Sequence, residues 1–217
     1  MKNIVTCIAV YFCIVNSALA GAGWTNYINQ EVGASLYYLH ESVLYLFPSQ
    51  CPNCRAFSFG SGPGNEEIDL IKKGWVVTSN DINPLSGEII TERAKIFHGR
   101  FAFQNVDFSG VKLIGQYDYF FSFFALPFGD KNEMQKLVRH MSLYSKKDTL
   151  VALNFFGPEH DYVKQGIAFS MEKEEVAKLL ESNRFRVLYI LRRIYDKVDV
   201  DGIKTHRDVI DVMARKK

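Results

Sequence analysis

The sequence predicts a single α/β domain, a mostly parallel sheet with helices on both faces and an antiparallel pair at one edge. Three observations carry this. Strand-like and helix-like apolar patterns alternate from residue 56 to residue 181, and right-handed crossovers turn that order into a parallel sheet. The last two apolar runs, Phe185–Ile194 and Asp208–Ala214, have no helix between them, so they pair antiparallel. The chain of 217 residues is 47% hydrophobic and 14% aromatic, enough for one substantial core and too short for two large domains. Its 26 basic and 24 acidic residues leave a formal charge of +2, which excludes a polyelectrolyte tail and disfavours nucleic acid as a partner.

Residues 1–20 stand outside that core. Lys2 gives a basic start, Ile4 to Val15 is almost wholly apolar, and Ala18-Leu19-Ala20 offers small residues before Gly21, the pattern of a secretory signal peptide. A secreted or periplasmic protein follows. The alternative is an uncleaved membrane anchor with the domain in the cytosol, although twelve apolar residues fall short of the ~20 that span a bilayer. The mature chain, 21–217, is read as one domain. From Trp24 to Phe47 the positions Tyr27, Ile28, Val32, Leu36, Leu39, Val43, Leu44 and Phe47 recur at helical steps, and Pro48 ends the run. We read 21–48 as a helical lid over a core spanning 55–217.

Without the leader the chain keeps two cysteines, Cys51-Pro52-Asn53-Cys54. They are a redox pair, half a zinc site, or a local pair free to oxidise after export. Zinc needs about four ligands and no second CxxC or paired His completes them. A redox pair gains its reactivity at a helix start, whereas Arg55-Ala56-Phe57-Ser58-Phe59 reads as a strand, so a local disulfide or a plain structural role is preferred.

Strands then follow at Ala56–Phe59, Val76–Asn80, Arg100–Val106, Tyr119–Phe123 and Leu150–Phe155, with helices at Glu66–Lys73, Leu85–Phe97, Glu133–Tyr144 and Lys173–Glu181. Between the first strand and its helix lies Gly60-Ser61-Gly62-Pro63-Gly64-Asn65. Glycine permits positive φ and lets ligand atoms lie against backbone where a Cβ would collide, and helix-start amides donate to anionic groups. A dinucleotide fingerprint needs a third glycine where Asn65 stands, so this loop follows GxGxG instead. The second strand ends in Asp81, 21 positions after Gly60. A carboxylate there accepts both hydroxyls of a ribose diol. The third ends in Asn105-Val106-Asp107-Phe108, an acceptor and a ring suited to an adenine amino group and its face.

These residues resemble the class I S-adenosylmethionine-dependent methyltransferases, in particular the branch of the tellurite-resistance methyltransferases. Phe57 to Glu66 is similar to the family's first motif, Asn80 to Pro84 to its second, Asn105 to Phe108 to its third and Tyr117 to Phe128 to its fourth, while Val209 to Lys216 is similar to its terminal strand. The resemblance covers about Trp24 to the C-terminus. It implies a Rossmann-like, seven-stranded fold, S-adenosyl-L-methionine as cofactor and methyl transfer to a small-molecule acceptor by a monomer. It also implies that Gly60, Gly62 and Gly64 approach the methionine part, Asp81 the ribose, and Asp107 with Phe108 the adenine. Ser61, Pro63, Ile82, Asn105, Ser122 and Phe123 complete the implied binding set. One departure is plain: Ser58 stands where the family usually carries an acid two residues before the first glycine. A hydroxyl keeps a hydrogen bond there but not the charge, which leaves a non-catalytic binding module as an alternative, and an exported enzyme acting on a protein as another.

A methyl group on a sulfonium is already activated, so positioning and exclusion of water are the protein's main tasks and no fixed base is demanded. A thiolate or a selenium or tellurium anion attacks without help, whereas nitrogen and oxygen nucleophiles commonly need a proton acceptor nearby. Gly157-Pro158-Glu159-His160-Asp161 and Thr205-His206-Arg207 hold the candidates, His160, Asp161, His206 and Arg207, each with the plain alternative of a solvated loop residue. No metal site is expected, because adjacent residues rarely converge on one ion. Tyr27, Tyr37, Tyr38 and Tyr45 either cover the site or pack in the core.

Overall fold

The computed structural model describes residues 24–198 and 202–217; the expected signal segment lies outside them. Among the described residues no helix is long and apolar enough to cross a membrane. The chain enters through helix α1 (24–31) and α2 (Tyr38–Leu44), then alternates β1 (Arg55–Phe59), α3 (Asn65–Lys72), β2 (Val76–Asp81), α4 (Pro84–Ala94) and β3 (Phe101–Asn105). It continues through β4 (Tyr117–Ser122), α5 (Lys131–Leu143), β5 (Ser145–Phe156), α6 (Asp161–Lys164), α7 (Lys173–Ser182), β6 (Phe185–Val198) and β7 (Lys204–Lys216).

Seven strands form one sheet in the order β3-β2-β1-β4-β5-β7-β6, with β1 to β5 parallel. The expected antiparallel pair is the β6–β7 hairpin at the sheet edge. It is the inner strand of the hairpin, β7, that inserts beside β5 and runs against the rest, from Phe156↔Val209 to Leu150↔Arg215. The pairing begins at Val198↔Lys204, so residues 204–208, expected before the last strand, are its first turn of ladder. The strand order reverses between β1 and β4, and α/β sheets bind ligands in the crevice beyond the strand ends at such a point.

Alternation along β1 splits the core in two. Phe57 and Phe59 pack with Met134, Leu137 and Met141 of α5 and with Val176 and Leu180 of α7. Ala56 faces the other way, with Leu39 and Val43 of α2, Ile68 and Ile71 of α3, Ile90 of α4 and Trp75. Ser58 shares that second face by period and is buried.

The single helix expected over Trp24–Phe47 is two. Gly33 lies at φ +80, a left-handed conformation that ends a helix cheaply, and its amide donates to the Asn65 Oδ1 at 2.9 Å rather than continuing the ladder. The second segment then starts after an extended Tyr37. Cys51 and Cys54 are joined in a disulfide with their Cα atoms 5.3 Å apart, immediately before β1 and not at a helix start. Among the described residues no cluster of His, Cys, Asp and Glu could hold a metal ion.

Candidate functional site

The glycine loop leaves β1 and is drawn against the end of β2: the Gly60 and Ser61 amides donate to the Asn80 carbonyl at 2.9 and 3.1 Å, and the Gly62 amide to Asp81 Oδ2 at 2.9 Å. Gly60, Gly62 and Gly64 all have positive φ, +70, +50 and +73. Their missing side chains serve different ends. A Cβ on Gly60 would collide with Ala125, and one on Gly64 with Ile90 of α4, so these two glycines allow close packing of neighbouring elements. A Cβ on Gly62 would meet only the Tyr27 ring, at 3.8 Å. Gly62 is therefore the one of the three whose bare backbone is not packed against a neighbouring element of the sheet and faces only the Tyr27 ring. Pro63 contributes its carbonyl, which accepts from Arg93 Nη1 at 2.6 Å, and the Ser61 hydroxyl is buried without a partner.

Asp81 closes the loop. Besides Gly62, it accepts from the Asn83 amide through Oδ1 at 2.8 Å, so each carboxylate oxygen keeps one lone pair for a ligand. Burial raises its pKa, against the pull of these backbone donors. Ile82, 73% exposed, presents an apolar face beside it. Asn105 is tied down, its Nδ2 donating to the Asp81 and Ile82 carbonyls at 3.0 Å each. Asp107 caps the turn 108–110, accepting from the Ser109 hydroxyl at 2.7 Å and the Gly110 amide at 2.9 Å, bonds that hold its carboxyl below the usual range. Both bonds use Oδ1, and Phe108 packs half-buried with its ring against Gly129 and near Gly60.

Two residues of the implied binding set have other duties. The Ser122 hydroxyl is buried and donates to the Phe59 carbonyl at 2.7 Å, stitching β4 to β1, so it is not presented to a ligand. Phe123 packs its ring 4.8 Å from that of Tyr37, at the start of α2.

The N-terminal helical segment is held by polar contacts. Asn65 Nδ2 donates to the Glu31 carbonyl at 2.8 Å, and Asn83 Nδ2 to Thr25 Oγ1 at 3.1 Å. Tyr27 thereby lies over Gly62, its hydroxyl pushed up to about 12 by burial and by Glu31 and Glu66. Tyr37 and Tyr38 donate to the two oxygens of the fully buried Asp211 at 2.7 and 2.6 Å, and Arg193 Nε joins them at 2.7 Å. Tyr45 is 90% exposed and neither covers the glycine loop nor packs in the core.

The catalytic candidates separate. His160 is not a solvated loop residue: it is buried, stacked on Phe156 at 3.8 Å, and desolvation with the nearby Arg207 charge lowers its pKa to about 4. Its Nδ1 accepts from the Tyr162 amide at 3.2 Å, which places the ring proton of the neutral form on Nε2 and makes His160 a donor rather than a base. Asp161 accepts from the His206 amide at 2.7 Å. His206 pairs with Asp196 at 2.8 Å on the hairpin and takes no part in the site. Arg207, its neighbour on β7, points to the opposite face and lies 5.6 Å over the Phe124 ring.

Sequence reasoning missed Glu67, 1% exposed with neither carboxylate oxygen hydrogen-bonded, beside Ser58. An acid in a first helical turn ordinarily signals a cap, so nothing local marked it. It also missed Asn154, whose Oδ1 accepts from the Phe124 amide at 2.6 Å and whose Nδ2 is buried without a partner.

No protein-family model and no curated protein sequence matches the chain. Solved structures do. TehB from Haemophilus influenzae superposes with a TM-score of 0.70 at 16% identity over 85% of this chain, which spans only 63% of the TehB chain. Magnesium protoporphyrin IX methyltransferase (ChlM) from Synechocystis, with bound SAH, gives 0.67 at 16% identity over 94% of this chain and 99% of its own. The 1,6-didemethyltoxoflavin-N1-methyltransferase of Burkholderia thailandensis, holding 1,6-didemethyltoxoflavin and S-adenosylhomocysteine, gives 0.66 at 14% identity over 96% and 90%. The fold is that of the class I methyltransferases, as the sequence motifs imply.

Proposed function

We propose that this chain is an S-adenosylmethionine-dependent methyltransferase acting on a small-molecule acceptor. The observation that carries it is the loop Gly60–Gly64 closed by Asp81 at the strand-order reversal, with the Gly62 backbone bare. The residues present fit the cofactor. The cradle over Gly62 is one that a Cβ would narrow, Asp81 keeps acceptor capacity for a ribose diol, and on this reading Ile82, Asp107 and Phe108 supply the adenine's apolar contact, acceptor and ring. Structural neighbours that hold S-adenosylhomocysteine support the same reading.

Bound there, the cofactor supplies an electrophilic methyl group on sulfur. The chain's own part is positional. The loop and Asp81 orient the ligand, Trp24 and Tyr27 on α1 cover it, and the rings of Phe124 and Phe128 keep water from the reacting centre, where fixed geometry substitutes for a bimolecular encounter. With His160 neutral and its Nδ1 engaged, the site favours an acceptor that reaches it already able to attack. The proposal includes export of the mature domain after cleavage at Ala20, with which the Cys51–Cys54 disulfide is consistent. Intact mass of the exported form checks this, and full-length protein in the membrane fraction refutes it.

Calorimetry tests the cofactor. S-adenosylmethionine and S-adenosylhomocysteine bind and nicotinamide dinucleotides do not. Asp81→Ala weakens binding about ten- to a hundredfold, the worth of a charge-assisted pair of hydrogen bonds after solvent compensation. A folded Asp81→Ala protein that binds like wild type refutes the assignment. Ser58 favours a second reading, a binding module, which saturation by cofactor with no methyl transfer to any of a broad set of acceptors would support.

A further inference from the structure

Beyond the glycine loop, at the ends of β4, β5 and β7, two buried N–H donors have no acceptor: Arg207 Nε and Asn154 Nδ2. Both converge on Phe124. Asn154 Oδ1 accepts from its amide at 2.6 Å, and the Arg207 guanidinium lies 5.6 Å over its ring. Phe124 has φ +59, a conformation a phenylalanine adopts only when its surroundings impose it, and such residues gather at ligand sites.

Arg207 differs from the other arginines of this end of the sheet. Arg192 grips Asp208 through two bonds of 2.7 Å, and Arg193 is bound to Asp211 at 2.7 Å. Arg207 has no carboxylate within ion-pair distance among the described residues; of its chain neighbours, Asp208 is engaged by Arg192, and the acid bonded to His206, Asp161, is engaged by the His206 amide. Its charge acts instead on neutral groups: it adds to the desolvation that lowers the His160 pKa and opposes the rise that burial gives Tyr27. A half-buried cation without a counterion, on the same residue Phe124 as an orphaned amide, costs free energy that a negatively charged ligand recovers.

The surroundings of this spot are aromatic. Trp24 meets Phe128 edge-on at 4.9 Å, Phe128 meets Tyr162 at 5.5 Å, and Tyr27, over Gly62, links this group to the glycine loop. Flat rings around a donor-rich, acceptor-poor centre suit a planar body carrying an anionic oxygen.

We propose that the methyl acceptor is a small aromatic acid whose carboxylate is bound by Arg207 and Asn154 Nδ2. This rests on the proposed function, since it names the substrate class for that site, but the binding test is independent of it.

The mature protein, with its disulfide intact, is titrated calorimetrically with benzoate, salicylate and indole-3-carboxylate and with the corresponding amides, with and without S-adenosylhomocysteine. The expected result is that at least one acid binds about ten- to a hundredfold more tightly than its amide. Arg207→Gln abolishes that preference while Arg207→Lys keeps part of it, and S-adenosylhomocysteine binds all three proteins alike, with thermal melts confirming that the variants fold. Amides that bind as well as the acids, no binding by any acid, or a preference that survives in folded Arg207→Gln overturns the proposal. If S-adenosylhomocysteine fails to bind wild type while the acids bind through Arg207, the methyltransferase reading falls and the anion site stands.

Discussion

Replacing Glu67 with Gln removes one titration from the protein, and its effect on stability has a calculable dependence on pH. Glu67 is 1% exposed, neither oxygen has a hydrogen-bond partner, and burial, with the Glu66 charge beside it, pushes its carboxyl up to about 8. The ordinary value is 4.5, so the folded state holds the proton more tightly than the unfolded one. The stability this group contributes is therefore fully present below the unfolded value and is lost as pH rises through about 8. At about 1.4 kcal/mol per tenfold change, the gap from 4.5 to about 8 amounts to about 5 kcal/mol, an upper bound that rearrangement around the charge reduces to about 2–4. Glutamine has nearly the same shape and no titration. The stability of Glu67→Gln relative to wild type should rise by that amount between pH 5 and pH 9, while the contributions of all other groups cancel in the difference. Equilibrium urea denaturation of both proteins at pH 5, 7 and 9 measures it. A difference that stays constant across that range would mean that Glu67 ionises in the fold as it does in water, and the argument from its burial would be wrong.

Reducing the Cys51–Cys54 disulfide, or replacing both cysteines with serine, opens a loop of four residues; chain entropy assigns about 2 kcal/mol to such a closure, which lowers the Tm by about 4–8 °C in a chain of this size, and an unchanged melt refutes it. Gly62→Val and Gly64→Ala should fail in different ways. The first holds a β-branched residue at φ +50, which costs about 1–3 kcal/mol but leaves the protein folded, and it abolishes cofactor binding. The second drives a methyl into Ile90 at positive φ and costs about 2–4 kcal/mol. Melts paired with calorimetry decide, and a destabilised Gly62→Val beside a stable Gly64→Ala would reverse the roles assigned to the two glycines.

What the sequence determined by itself is what short stretches of chain determine. The strands β1 to β5 and the helices between them follow from apolar periods of two and 3.6, which any six to twelve residues display. The glycine loop was legible because positive φ is a property of the residue, and Asp81 because a short strand holds little slack between it and Gly60. The aromatic end of β4 was legible for the same reason, although the duty of Ser122 was not. Its hydroxyl looked available until the Phe59 carbonyl, 63 positions away in the chain, was brought to 2.7 Å.

Tertiary structure alone decided which partner each polar group found. His160 read as a loop residue, but Phe156 and Tyr162 bury it, and His206 and Arg207 part company because adjacent strand residues face opposite sides and only the assembled sheet says which side is the site. The helical run from Trp24 to Phe47 broke at Gly33 because Asn65, 32 positions on, offers its amide a better acceptor than the next turn would. Glu67 carries no local mark at all. Its perturbation exists only because α3 packs its first turn onto Ser58 in the face shared with β1, and desolvation is a property of the enclosing structure, not of the residue.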